Sequence, residues 1–102
     1  MNRLVLQATV QQRGAMRYTP AGLPALDLVL RHEGQALQDG VPRQVCLEIR
    51  ALGIGAVSAA LSALALGQSG TFGGFLAPAR NGRGLLFHVT SVEPGAPGTD
   101  RT

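Results

Sequence analysis

The chain lacks lysine and tryptophan, and it has one cysteine and only four aromatic residues among its 102 residues. A single cysteine excludes an internal disulfide, so we expect a protein of the reducing cytoplasm. Few aromatic side chains leave little material for a base-stacking surface. Charged residues make up 15% of the chain and hydrophobic residues 45%. This composition predicts one small folded domain and argues against a wholly disordered chain.

All nine basic residues are arginines, and they are dispersed along the chain. The formal net charge is only +3, which favours an anionic partner weakly. Residues 1–10 alternate between apolar and polar side chains and contain no long apolar block, so we expect no secretory signal there. Any basic surface has to be assembled by folding or by the pairing of two chains.

A stretch of 29 residues, from Ala51 to Ala79, carries no charged side chain. A membrane span needs about 20 strongly apolar residues, whereas glycine, serine and glutamine dilute this stretch. Apolar residues recur within it at helical spacing, at Ile54, Val57, Leu61 and Leu64. We therefore predict a short amphipathic helix over Ala56 to Leu66, ended by Gly67, and no membrane span.

Alternating apolar and polar residues predict five strands around this helix. They cover residues 3–11, 26–31, 44–50, 71–77 and 85–92. Residues 34–42 are predicted to form a loop, Gly73-Gly74 a bulge or close backbone approach, and Asn81-Gly82 a hairpin turn. The element order predicts an all-β fold, a five-stranded OB-fold barrel with a short helix between strands three and four. Residues 1–93 would form this domain, and residues 94–102 a disordered tail.

Short segments of the chain resemble the OB-fold family of single-stranded-DNA-binding proteins, and within it the primosomal replication protein N family. They are Asn2-Arg3-Leu4-Val5-Leu6, Thr19-Pro20-Ala21-Gly22-Leu23-Pro24, Leu28-Val29-Leu30-Arg31-His32, Arg43-Gln44 and Ala79-Arg80-Asn81-Gly82. The resemblance spans about residues 2–93. It implies a homodimer without enzymatic activity or cofactor, which binds single-stranded DNA and supports the primosomal helicase, with other primosome proteins, in replication restart.

The chain departs from that family at positions expected to contact DNA. Cys46 stands where the family pattern has a tryptophan on strand three, and Val41 replaces another aromatic residue. Glu33, Pro78 and Leu85 occupy basic positions. Stacking on an aromatic side chain contributes about 1–3 kcal/mol per base, so these differences predict weaker DNA binding. They keep a second function open, an OB-fold adaptor that contacts proteins and has little DNA affinity.

The candidate nucleic-acid-binding residues lie on predicted strands and loops that contact ligands in OB-folds. They are Arg17, Tyr18, Arg31, Gln44, Arg50, Arg80 and Arg83. Arg80 and Arg83 flank the predicted hairpin turn and can pair with phosphates, or they merely keep a sheet edge soluble. Tyr18 either stacks on a base or closes one end of the barrel.

The outward face of strand three has two interpretations. It carries Gln44, Cys46, Glu48 and Arg50, and it is either a reduced DNA platform or ordinary surface or a dimer edge. Glu48 repels phosphate and argues against a strong site there. The three phenylalanines, Phe72, Phe75 and Phe87, are predicted to belong to the core rather than to stack on bases.

Other chemistries are poorly supported by the residues. One cysteine and two isolated histidines do not form a zinc-ligand pattern, and nothing pairs Cys46 with a base, so we expect no catalysis. Gly53-x-Gly55-x-x-Ser58 lacks the third glycine and the downstream acid of a dinucleotide-binding loop. We interpret it instead as a flexible lead into the short helix.

Overall fold

Five long strands close into a barrel in the computed structural model, which describes residues 1–95. The elements are β1 (Leu4–Arg13), β2 (Arg17–Tyr18), β3 (Pro24–Gln38), β4 (Val41–Ile54), α1 (Val57–Ser62), β5 (Ser69–Pro78) and β6 (Leu85–Pro94). The long strands follow the order β1-β5-β6-β4-β3, and β3 pairs back with β1 to close the sheet. Within residues 1–95, β4 and β6 are the only strands that pair in parallel. This topology confirms the five-stranded OB-fold barrel, with α1 between the third and fourth long strands.

The core consists of the inward-facing residues of every long strand together with one face of α1. Its buried members are Ala8, Val10, Leu26, Leu28, Leu30, Ala51, Leu61, Leu64, Phe72, Phe87 and Val89. On β3 the buried leucines occur at every second position, as the period of a strand requires. Phe72 and Phe87 are fully buried, as predicted. Burial of one such large side chain contributes about 1.5–3 kcal/mol, so these few residues dominate the stability of a small domain.

Phe75 corrects the prediction that all three phenylalanines are core residues. Its side chain is 39% exposed, because it lies on the outer face of β5. The predicted irregularity beside it is confirmed. The register of β5 with β6 shifts between Gly73 and Gly74, where a Cβ atom on Gly74 would lie only 1.8 Å from the His88 carbonyl oxygen. Glycine is therefore required where these two backbones approach each other.

The helix is shorter than its hydrophobic pattern predicts. It ends at Ser62 rather than continuing to Leu66, although Leu64 beyond it remains buried. The following residues instead turn toward β1. There the Gly67 N–H donates to the Val10 carbonyl at 2.8 Å, and the Val10 N–H donates to the Gln68 carbonyl at 3.0 Å. Tertiary hydrogen bonds replace a further helical turn.

Gly53 is part of β4 rather than of a flexible lead into the helix. It pairs with Leu26 on β3 and with Val89 on β6. A Cβ atom at this position would lie 2.3 Å from Cδ1 of Leu61. The missing side chain thus lets α1 approach the sheet and plug one end of the barrel, which is a packing role and not a phosphate-binding one.

Residues 34–42 form the outer part of a long hairpin, so the predicted loop is wrong. β3 and β4 pair without interruption from Ala25 and Ile54 to Gln38 and Val41. Asp39 and Gly40 both have positive φ, at 52° and 76°, as a two-residue type I′ turn requires. The hairpin projects beyond the core, which explains why apolar residues of the predicted inward set on strand three, such as Leu47 at 38% exposure, are only partly covered.

Three smaller differences concern element boundaries. β1 continues to Arg13 through a register shift between Val10 and Gln12, past the predicted break. β2 is a two-residue strand on the edge of β3, where the sequence indicated only a loop. β6 continues to Pro94, and residues 96–102 of the predicted tail lie outside the described residues.

Candidate nucleic-acid interface

A groove of about 750 Å³ crosses one side of the barrel. Three parts of the chain form it: the segment from β1 to β2, the outer surface of β3 and β4 near Leu52, and the β5–β6 hairpin with its loop. Its charged lining residues are Arg17, Asp27, Arg50 and Arg80. We call these four residues and the space between them the arginine groove. Folding thus collects three arginines that are distant in sequence.

Arg50 and Arg80 carry the uncompensated charge of the groove. Arg50 lies on β4, opposite Val29 of β3, and both side chains are outside the core. Arg80 follows Ala79 in the β5–β6 loop. Among residues 1–95 neither arginine forms an ion pair, so both guanidinium groups are available to phosphate oxygens.

The β5–β6 loop holds Arg80 at the edge of the groove. The Ala79 N–H donates to the Gly84 carbonyl at 3.0 Å, and the Gly82 N–H donates to the Ala79 carbonyl at 2.9 Å. Gly82 and Gly84 both have positive φ, which favours glycine. The Asn81-Gly82 signal thus identified the hairpin, whose loop is longer than a two-residue turn.

Arg17 is paired with an acid of the same groove. Its Nε donates to Oδ2 of Asp27 at 2.9 Å and its second guanidinium nitrogen to Oδ1 at 3.3 Å. The hydrogen bond to Asp27 and the charge of that carboxylate raise the pKa of Arg17 above its usual range. The pair holds the β2 end of the groove together, but it leaves Arg17 less available for a ligand than Arg50.

Tyr18 lies beside the groove, not in its lining. It pairs with Pro24 across β2 and β3, and it is 69% exposed. This exposure argues against the predicted role in closing one end of the barrel, and stacking of Tyr18 on a base stays a prediction.

A second cluster surrounds Arg31 on the outer surface of β3 and β4. Arg31 contacts Oε2 of Glu33 at 2.6 Å, Sγ of Cys46 at 3.0 Å and Oε2 of Glu48 at 3.8 Å. The hydrogen bond from Arg31 lowers the pKa of Glu33, and the same bond raises the pKa of Arg31. We call these four residues the Arg31 face. Two carboxylates surround its one arginine, so this surface offers phosphate no net attraction.

The remaining candidate residues are dispersed. Gln44 lies opposite Gln35 on the projecting hairpin, and Arg83 follows Asn81 in the β5–β6 loop, where its N–H donates to Oδ1 of Asn81 at 2.9 Å. Neither lines the arginine groove. The structure thus brings together Arg17, Arg50 and Arg80 of the seven candidates, and leaves Tyr18, Arg31, Gln44 and Arg83 outside the groove.

Among the lining residues that sequence reasoning did not select are Leu52, Asn81 and His88. His88 lies between the buried Phe87 and Val89, so the period of β6 already indicates that it faces outward. Its place beside Leu52 depends on the parallel pairing of β4 with β6. That pairing joins segments far apart in sequence, and no local sequence pattern predicts it.

Within residues 1–95 no group of three or more histidine, cysteine, aspartate or glutamate side chains is placed to hold a metal ion. No helix in that part of the chain has the length and hydropathy that crossing a bilayer requires.

Comparison with known proteins agrees with this geometry. Residues 2–91 match the model of a family described as another single-strand binding protein family. Replication restart protein PriB of Bordetella pertussis is 50% identical over 80 residues, which cover 78% of this chain and 75% of that protein. The structure of PriB from Ralstonia solanacearum superposes with a TM-score of 0.85 at 41% identity, covering 94% of this chain and 99% of the other. The wild-type single-stranded DNA binding protein from Thermus aquaticus gives 0.74 at 26% identity, covering 95% of this chain and 51% of that chain.

The barrel topology and the family match over residues 2–91 define an OB-fold protein of the single-strand-binding class. Within that class the identity to PriB proteins extends over most of the chain and most of its relatives. The chain belongs to the PriB family of replication restart proteins. This confirms the resemblance that the short segments of the sequence indicated.

Proposed function

We propose that this protein binds single-stranded DNA in the arginine groove and acts in replication restart, where it supports the primosomal helicase. The observation that carries the proposal is the pair of unpaired arginines, Arg50 and Arg80, facing one groove on the barrel of a PriB-family protein. Asp27 compensates Arg17 only. Two positive charges therefore remain for the phosphates of a strand.

The charge of the groove predicts the kind of binding. Each phosphate neutralised on a single strand releases counterions and contributes about −0.7 to the slope of log affinity against log salt. Contacts from Arg50 and Arg80 are therefore expected to make the affinity salt-sensitive and largely independent of sequence.

The proposed role includes no catalytic step. The exposed thiol of Cys46 has Arg31 and Glu33 as its polar neighbours and not a histidine base. A nucleophile without a base beside it is a poor catalyst.

We include a cytoplasmic homodimer in the proposal. Residues 4–8 of β1 pair with β5 along one edge. On its other edge β1 pairs with β3 only from Thr9 onward. Within the described chain the other edge of residues 4–8 carries no strand, and a second copy pairing there would cover it. Sedimentation at micromolar concentration is expected to give the mass of two chains, and the mass of one chain would contradict this part.

An adaptor that contacts proteins and has little DNA affinity is the alternative function. The Arg31 face favours it, because the aromatic side chain is absent and the arginine is neutralised there. The projecting hairpin favours it too, since Leu37 is 75% and Val41 53% exposed at its end. Exposed apolar side chains at the tip of a hairpin are typical of protein contacts.

Fluorescence anisotropy of labelled oligo-dT, titrated at low and moderate salt, decides between the two functions. Binding with a steep salt dependence is expected for the DNA-binding protein. Absence of binding even at low salt would contradict it and favour the adaptor. The helicase part needs a separate assay, in which this protein is expected to stimulate unwinding of a forked substrate by the primosomal helicase. No stimulation would contradict that part alone.

A further inference from the structure

A row of outward side chains runs across four neighbouring strands, starting at the arginine groove. Asp27 of β3 is in register with Leu52 of β4, Leu52 with His88 of β6, and His88 with Phe75 of β5. The residues before and after Leu52 and His88 are buried, so these two side chains face outward. Neighbouring strands are about 4.8 Å apart, and the row therefore forms a continuous surface leading from the groove toward β5. We call Leu52, His88 and Phe75 the outer row.

The two rings of the row are stacked on each other. Their centroids are 4.9 Å apart and their planes differ by 4°. Phe75 remains 39% exposed and His88 is half-buried. A flat, partly exposed pair of rings offers a nucleobase a surface on which to pack, and such stacking tolerates any base.

The backbone beside the rings is built for this arrangement. The register shift between Gly73 and Gly74 sets Phe75 opposite His88, and Gly74 allows the contact with the His88 carbonyl that any side chain would block. Without this close approach the ladder would place a different residue across from His88. The stacked pair is thus a consequence of the chain geometry on both strands and not of one flexible side chain.

The arginines of the groove lie at one end of the row. Leu52 and His88 line the groove together with Arg50 and Arg80. A strand whose phosphates pair with these arginines lies within reach of the rings. A sheet with phosphate-binding groups beside stacking rings has the two properties that single-strand recognition needs.

We propose that a base of the bound single strand stacks on the Phe75–His88 pair, so that the strand crosses the sheet from the arginine groove to β5. The inference rests on the proposed DNA-binding function. It assigns the stacking contact to β5 and β6, away from the position of Cys46 on β4. The occupant is single-stranded DNA, because the unpaired charge beside the rings is positive and an exposed flat ring can stack on any base.

The test compares two probes, labelled oligo-dT and an abasic sugar-phosphate oligomer of equal length. Phe75→Leu removes the ring and keeps an apolar side chain, whereas Phe75→Trp keeps an aromatic face. We expect Phe75→Leu to bind oligo-dT about tenfold more weakly and the abasic oligomer unchanged. Phe75→Trp is expected to match or exceed the original protein. Leu37→Ala, which removes an exposed apolar side chain at the hairpin tip, is the matched control and leaves both probes unaffected.

His88 gives a second, independent arm of the test. His88→Phe retains a stacked ring and is expected to keep most of the affinity, while His88→Ala loses several-fold on oligo-dT only. If these variants fail to fold, the stacking contact can still be tested on the unmodified protein. Saturating oligo-dT is expected to shift the ring-proton resonances of Phe75 upfield in its NMR spectrum, and unchanged resonances would overturn the proposal.

The outcomes separate this inference from the function on which it rests. Unaltered oligo-dT binding by Phe75→Leu, or equal losses on both probes, overturns the stacking contact. In that case loss of binding in the Arg50→Ala/Arg80→Ala variant still supports the arginine groove. An unmodified protein that binds neither probe at low salt overturns both proposals.

Discussion

The arginine groove and the Arg31 face are two arginine-containing surfaces of the same barrel that differ in their counter-charges. The groove sets three arginines against Asp27, which is paired with Arg17. The Arg31 face sets one arginine between Glu33 and Glu48. The sequence offers candidate arginines on both surfaces, although Glu48 already argues against a strong site on the Arg31 face. The difference teaches that a phosphate site is defined by arginines left unpaired after folding and not by their number.

The aromatic side chains follow the same division. The Arg31 face has Cys46 where the family pattern has a tryptophan, whereas the groove continues into Leu52, His88 and Phe75. Charge and stacking surface thus occur together at the groove, and both are missing at the Arg31 face. Three predictions test whether this division decides where DNA binds, and a fourth tests the ion pair of the Arg31 face.

The largest effect is expected from removing the unpaired charge of the groove. Arg50→Ala/Arg80→Ala should weaken oligo-dT binding by tenfold or more, since each charged hydrogen bond contributes about 1.5–3 kcal/mol before screening. The salt slope should become shallower by about 1.4, two phosphate contacts at about 0.7 each. Anisotropy titrations at several salt concentrations measure both. Arg43→Ala, which removes an exposed arginine of the hairpin, is the control, and an equal loss with that variant would contradict the assignment.

Release of Arg17 is expected to have the next largest effect. Asp27→Asn removes the carboxylate and keeps the shape of the side chain, so Arg17 becomes a third available cation in the groove. We expect oligo-dT affinity at low salt to rise several-fold and the salt slope to become steeper by about 0.7. Unchanged affinity with a folded variant would show that Arg17 lies outside the path of the strand.

Release of Arg31 is expected to raise the oligo-dT affinity much less than release of Arg17 does. Glu33→Gln/Glu48→Gln removes both carboxylates of the Arg31 face, and it changes the net charge by more than Asp27→Asn does. Arg31 and Glu48 lie next to Val29 and Arg50 on the outer face of β3 and β4, but they do not line the groove. We therefore expect the affinity to rise by less than it does in Asp27→Asn, most clearly at moderate salt, where exposed charges are partly screened. A gain larger than that of Asp27→Asn would place the strand on the Arg31 face and reverse the comparison.

The smallest effect concerns acid stability. The pKa of Glu33 is lowered by its hydrogen bond with Arg31, so the pair stabilises the fold above the unfolded pKa of about 4.3. That contribution is lost as the pH falls through the lower folded pKa. Thermal unfolding can be measured between about pH 2 and 6, a range that spans both pKa values. Glu33→Gln should be slightly less stable than the original protein at the upper end of this range and equally stable at the lower end. A constant difference across the range would contradict the link, and the exposure of the pair keeps it small.

The barrel could be predicted from the sequence because the patterns that indicate it are local. The alternation along β1 and the Asn81-Gly82 turn need only neighbouring residues. The same logic should have identified the Asp39-Gly40 turn, whose two residues are as informative as Asn-Gly. It was missed because the polar residues around it suggested a loop, and a hairpin outside the core has no apolar pattern to reveal it.

The site was harder to predict from the sequence, because it depends on contacts between residues that are distant in the chain. Arg17, Arg50 and Arg80 were selected as candidates, and folding does place them on one groove. Their different availability depends on which carboxylates fold beside them, as the Arg17–Asp27 distance of 2.9 Å shows. The stack of Phe75 on His88 depends on the pairing of β5 with β6 and on the glycine between them. Neither fact has a signature in one segment of the chain.

The side chain of Asn2 joins the first residues of the chain to β5, the fourth long strand. Its amide nitrogen donates to the Leu76 carbonyl at 2.6 Å, and its oxygen accepts from the Leu76 N–H at 3.0 Å, across 74 residues of sequence. The β3–β4 hairpin, by contrast, is built from contacts between close neighbours in the chain. Since distant contacts carry the larger loop-closure cost, we expect the hairpin to form early in folding and the β1–β5 seam to close last.

This order of assembly has a consequence for the bound state. The arginine groove is lined by the segment from β1 to β2 as well as by the hairpin and the β5–β6 unit, so a complete site exists only after closure. Bound oligo-dT should therefore slow spontaneous opening of the barrel, because a ligand that binds only the native state lowers the free energy of that state. Amide hydrogen exchange at Leu76, measured with and without oligo-dT, reports on the seam directly. Equal exchange rates would mean that the barrel opens there without disturbing the groove.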